Sequence, residues 1–162
     1  MYYGASLVLL KFLHMRCIAH VLNLIVNDGL KEANVSVKKV REAIRYMRNS
    51  PTRLNKFREV YDLLGIDNKS SLSLDVPTRW NSTYTMLKTA CFYEKAFEKY
   101  EEIETEFRSD LGDDIPDFLD WQCVRQMVDM LQIFYDITMK ISGSQFVTAN
   151  TFFSEISDLN CS

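Results

Sequence analysis

The chain of 162 residues holds only five glycines and three prolines. That excludes collagen-like repeats and leaves little room for low-complexity linkers. Cysteine is sparse and scattered, at Cys17, Cys91, Cys123 and Cys161. Such spacing reads as reduced thiols in a cytosolic or nuclear protein, not as a disulfide framework. There are only two histidines, His14 and His20, no CxxC pair and no second ligand pair at finger spacing, so no metal site is expected. Long apolar runs are missing as well. Ala5 to Leu13 is broken by Lys11 and falls far short of a membrane span; with no basic stretch ahead of it, it does not read as a signal peptide. No internal repeat is visible, and neither is a Walker A, GxGxxG or GxSxG motif.

What is present suits a soluble globular domain. Hydrophobic residues make up 47%, too many for a disordered chain. The length corresponds to about one domain, which buries roughly 68–70% of its unfolded surface without staples. The net charge of −3 hides an asymmetry. Residues 1–60 carry eleven Lys/Arg against four Asp/Glu, a net of +7, while residues 61–162 carry eight against eighteen, a net of −10. Such a division marks either a nucleic-acid face on one half or two oppositely charged surfaces that attract each other.

Hydrophobic spacing predicts a mostly α protein, with at most one short strand, over residues 5–13. Ile18, Val21, Leu22, Ile25 and Val26 recur at helical spacing from Met15 to Asp28. A second helix, Ser36 to Arg48, places Val37, Val40, Ile44 and Met47 on one face and Lys38, Arg41, Arg45 and Arg48 in a basic stripe. Ser50 and Pro51 suit the start of a third, which runs to Leu64 on Leu54, Phe57, Tyr61 and Leu64. The organisation expected is a basic helical part over residues 1–65, a loop over 66–77 and an acidic helical part over 78–162. Within the last, Thr78 to Phe107 reads as one long helix or two abutting ones, and Arg108 to Pro116 as an acidic loop. A helix from Asp117 to Ile141 then carries Trp121, Val124, Val128, Leu131 and Tyr135, and Thr148 can cap a short final one.

Metal-dependent nucleases need two or three carboxylates converging on ions ~3.5–4 Å apart. Here most acids fall on exposed helix faces, and Asp28 and Asp75 look structural, so no catalytic residue is assigned. Cys17 and His20 share a helix face, which on residues alone reads as a buried thiol beside a satisfied histidine. Arg79 and Trp80 pair a phosphate-gripping guanidinium with a ring on which a base can stack, worth ~1–3 kcal/mol; Trp80 also begins a core stripe, which favours packing. The basic stripe could track a phosphate backbone or be a solvated helix face.

Three stretches together resemble one family. Residues 14–30, HMRCIAHVLNLIVNDGL, resemble the CxxH segment of hAT-superfamily transposases, and residues 74–84, LDVPTRWNSTY, resemble their Arg-Trp block. Ser142-Gly143-Ser144-Gln145 with Thr148-Ala149-Asn150 resembles a later stretch of the plant domesticated group, the RICESLEEPER and DAYSLEEPER type. The resemblance covers residues 12 to 158. It implies a helical segment of an RNase H-like domain, the insertion region, from proteins that also carry a BED zinc finger and a dimerisation region. In that family an Asp-Asp-Glu triad on two divalent ions cuts and joins DNA. None of this chain's acids matches the triad, so the resemblance implies a truncated or degenerate relative without catalytic capability or cofactor. By similarity, Cys17 and His20 sit beside the active site, and Arg79 and Trp80 handle the flipped or hairpin strand. The partner implied is DNA, with a protein partner or self-association as the alternative, no membrane and no small-molecule substrate. Nuclear localisation follows from the resemblance alone.

Overall fold

A computed structural model describes residues 24–26, 28, 34–67 and 70–143. The possible strand over 5–13 and the final helix from Thr148 lie outside the described residues, as does most of the helix expected from Met15. Residues 24–26 and 28 are helical. Six α-helices follow: α1 Asn34–Arg48, α2 Pro51–Leu63, α3 Trp80–Phe92, α4 Glu94–Ile103, α5 Thr105–Leu111 and α6 Phe118–Gly143, with a 3-10 turn at Gly112–Asp114. No strand occurs among the described residues.

Helix α1 is central, touching α2, α3 and α6, and α6 lies along α3. The apolar spacing explains this. Val37, Val40, Ile44 and Met47, one turn apart along α1, are all buried, as are Trp121, Val124 and Leu131 of α6. On the other side of α1, Phe57 of α2 meets a cluster of rings. It packs 4.7 Å from Phe97, 5.9 Å from Tyr100 and 6.0 Å from Tyr93 between centroids, geometries that favour edge-on and tilted ring contacts.

Local chemistry sets the boundaries. Ser50 caps α2 by accepting from the Arg53 amide, with Pro51 in its first turn. At the other end Gly65 has φ 66°, and the amides of Gly65 and Ile66 donate to the carbonyls of Asp62 and Tyr61. This is a Schellman ending, whose left-handed residue favours glycine. Because α2 stops there, Leu64 turns outward and Val60 takes its place in the core. At α6 the Asp120 amide donates to Asp117 Oδ1 at 2.9 Å and the Asp117 amide to Asp120 Oδ2 at 3.0 Å, a reciprocal capping box.

The stretch from Thr78 to Phe107 is neither one helix nor two. It breaks at Tyr93 and again at Glu104, without proline or glycine at either point. Tyr93 lies buried against Tyr61 and Phe57 and donates its hydroxyl to the Ser70 carbonyl at 2.7 Å. Tertiary packing of that ring is the constraint that bends the chain. The acidic loop expected from Arg108 is also corrected. Phe107 is buried against Tyr46 and Tyr100, and α5 continues to Leu111, where Gly112 at φ 50° ends it.

Candidate nucleic-acid interface

The segment between α2 and α3 brings Arg79 to the surface and is held at several points. The Arg48 guanidinium donates to the Leu72 carbonyl, Leu72 is buried, and Tyr93 holds Ser70. Asp75 is the strongest fixture. Arg41 donates to it from Nε at 2.7 Å and from Nη2 at 2.8 Å, and the Thr83 hydroxyl donates at 2.8 Å. Only 1% of the Asp75 side chain is exposed. Burial alone raises its pKa, but the bonds from Arg41 and Thr83 outweigh that and hold it below the ordinary carboxylate range.

A tight turn follows. The Arg79 amide donates to the Val76 carbonyl at 2.8 Å, with Pro77 at the second position, where its fixed φ fits a β-turn. Ser82 braces that turn from the helix side. Its Oγ accepts from the Val76 amide at 2.9 Å and lies 2.7 Å from the Arg79 carbonyl, to which it donates. No side chain caps the start of α3; the Ser82 amide donates to the Arg79 carbonyl at 2.9 Å, and the amides of Trp80 and Asn81 have no partner within the helix. The side chain of Arg79 is exposed there and makes no ion pair among the described residues. A cation beside free helix N-terminal amides is an arrangement that receives an anion such as phosphate.

The other expected contacts fall elsewhere. Trp80 is only 7% exposed, so it begins the core stripe of α3 and offers no open face for a base; the stacking expectation is corrected on that ground. The basic stripe is not a free cationic track. Lys38 pairs with Asp114 at 3.1 Å, Arg41 with Asp75 at 2.7 Å, and Arg45 with Glu42 on its own helix, while Arg48 serves Leu72. Further bridges join the basic helices to the acidic half: Lys39 to Asp120 at 2.7 Å, Arg53 to Asp110 at 3.1 Å and Lys56 to Glu104 at 2.9 Å. The charge asymmetry is therefore in large part internal attraction. Cys17 and His20 lie outside the described residues.

Sequence reasoning set Asp75 aside as structural and passed over Thr83 and Ser82. The signal available was three short polar side chains around a proline turn, a pattern suited to local hydrogen bonding. The arginine, 34 positions away, left no local trace. Cys91 sits half-buried in a groove with Phe92, Glu94 and Arg125, where burial, with Glu94 nearby, pushes its thiol up to about 11; it is protonated and unreactive at neutral pH. Among the described residues no three carboxylate, histidine or thiol groups converge on a metal position. None of the described helices is long and apolar enough to cross a membrane.

Comparison with known proteins agrees with this architecture. The putative AC transposase of Zea mays is 32% identical over 151 residues, covering 91% of this chain and 18% of the maize protein. Zinc finger BED domain-containing protein RICESLEEPER 2 of Oryza sativa subsp. japonica is 33% identical over 141 residues, 87% of this chain and 19% of the rice protein. DAYSLEEPER of Arabidopsis thaliana is 26% identical over 101 residues, 62% of this chain and 14% of that protein. The chain thus spans about a fifth of the length of the curated relatives it matches. No solved structure is significantly similar to it. Residues 15–130 match the ZBED1 RNase-like helical domain, and the chain belongs to that family, as a hAT-transposase-derived protein of plant type.

Proposed function

We propose that this chain is a DNA-binding helical domain of a transposase-derived nuclear protein, and that it carries no catalytic step of its own. The observation that carries the reading is Arg79: an exposed guanidinium without an ion pair among the described residues, at the uncapped start of α3. Trp80 anchors this corner from inside the core, and family resemblance adds Cys17 and His20 to the residues that serve DNA. The lack of catalysis in this reading is supported by the described residues, among which no three carboxylate, histidine or thiol groups converge on a metal position. The domain contributes grip and placement to DNA.

The test is fluorescence anisotropy of the purified chain with labelled single-stranded and hairpin DNA across a salt series. Binding is expected to weaken with salt, as it does when phosphate contacts release counterions, and Arg79→Ala is expected to weaken it about fivefold to tenfold, the ~1–1.4 kcal/mol net worth of one ordinary hydrogen bond at a solvent-exposed position. Absence of binding at low salt by a folded, monodisperse sample sinks the reading.

A second reading, self-association, is favoured by a separate observation. Ser36 and Asp120 bond at 2.6 Å, so α1 and α6 begin side by side. Next to that bond in sequence, Val35, Phe118 and Leu119 are left exposed, the last two at 70%. Large apolar side chains exposed at the starts of two neighbouring helices favour an interaction site there. Light scattering on the same sample separates the readings: a dimer that Phe118→Glu dissolves supports association, and a monomer removes it.

A further inference from the structure

We propose that Asp75 is the positioning residue of the Arg79 corner. With Arg41 and Thr83 it fixes the segment entering α3 so that the Arg79 side chain is held at the surface in position for a phosphate. The inference rests on the DNA-binding reading and adds which residues make that surface competent.

The geometry has three parts. Asp75 lies four residues before Arg79, separated by one tight turn closed by the Arg79 amide on the Val76 carbonyl at 2.8 Å. Its carboxylate is gripped bidentately by Arg41 of α1, at 2.7 and 2.8 Å, and by Thr83 in the first turn of α3, at 2.8 Å. Bidentate guanidinium–carboxylate pairs fix orientation as well as distance. One buried carboxylate therefore joins three elements: the central helix, the incoming segment and the helix whose start Arg79 occupies. Two of the three bonds tie the segment to α1 in the middle of the core, and the third ties it to the first turn of the helix that Arg79 precedes.

On this view Arg41 does not meet DNA. It acts through Asp75, as a strut behind the surface, and its place in the basic stripe is a consequence of where α1 must reach the incoming segment. A preorganised contact loses less freedom on binding than a floppy one, so releasing the strut should weaken DNA binding without removing any group that touches DNA.

The experiment is a double-mutant cycle on the whole chain, read by anisotropy with the labelled hairpin DNA, below the unfolding midpoint of every variant. Asp75→Asn is expected to weaken binding about fivefold to tenfold in the wild-type background and less than twofold in the Arg79→Ala background. A purely structural role does not predict that loss of additivity. Asp120→Asn is the control, because it disturbs a buried ion pair of α1 with α6 away from the corner; less than a twofold change is expected. If Asp75→Asn does not fold, Thr83→Val removes one of the three bonds and enters the same cycle with a smaller expected loss, about twofold to threefold. Equal losses in both Arg79 backgrounds, equal losses for Asp75→Asn and Asp120→Asn, or no loss at all overturn the proposal while leaving DNA binding intact. Absence of binding by the wild-type chain removes the DNA reading, and the proposal with it.

Discussion

At Asp120 three demands meet in one carboxylate. It accepts from Ser36 at 2.6 Å and from Lys39 at 2.7 Å, both on α1, and from the Asp117 amide at the start of its own helix. Asp75 is used as heavily by Arg41 and Thr83. In each case burial raises the pKa, and the hydrogen bonds outweigh it and bring the group below its ordinary value. A carboxyl whose folded pKa is depressed contributes stability above its unfolded pKa of ~3.9 and loses it as pH falls through the folded value. Urea midpoints are therefore expected to hold level from pH 7 to about 5 and to fall steeply below about 4. Asp75→Asn should start lower and lose less across the acid range. A parallel acid limb in that variant would remove Asp75 from the account.

Element boundaries depend on single residues here, and two of them are glycines. Gly65 and Gly112 have φ of 66° and 50°, and a Cβ at either would meet nothing within 4 Å. Replacement by alanine should cost about 1 kcal/mol at Gly65. At Gly112 the ψ of −119° lies outside the left-handed region, and the cost rises to about 1–3 kcal/mol. Both should be visible as lowered thermal midpoints with unchanged DNA affinity. A wider loss would mean that the helix ends themselves rearrange. The same boundaries show what was legible in the sequence. The buried face of α1 and most of that of α6 followed from spacing, because one amphipathic helix carries its pattern locally. Ser50, Gly65 and Asp117 announced their helix ends for the same reason. The breaks at Tyr93 and Glu104 had no such mark, since they come from where α2 and α1 place their rings. The candidate site divided in the same way. Arg79 stood out as a residue type, whereas the burial of Trp80 and the capture of Arg41 by Asp75 are properties of the packed molecule.

Across the whole molecule, charge is spent mainly on cohesion. Lys38, Lys39, Arg53 and Lys56 each bridge from the basic helices to an acid beyond residue 100. The Lys38, Arg53 and Lys56 pairs are exposed enough to be worth only ~0–1 kcal/mol apiece. Lys39–Asp120 is largely buried and screened less, so salt should weaken the fold modestly. It should also weaken DNA binding modestly. With most of the basic stripe engaged, few cations remain for phosphates, and each contact contributes about −0.7 to −0.9 to the slope of log affinity against log salt. A slope of about −1 to −3 is expected from the salt series described above. A slope near −6 would mean that the stripe releases its internal partners to bind.

The position of α6 along both α1 and α3 also has a consequence for synthesis. The helix that closes the bundle is the last of the described helices to be made, complete roughly ninety residues after Arg48, a wait of about 5–20 s at ordinary elongation rates. Until it emerges, the sides of α1 and α3 that pack against it have no cover, and the nascent chain is a natural client for chaperones on the ribosome.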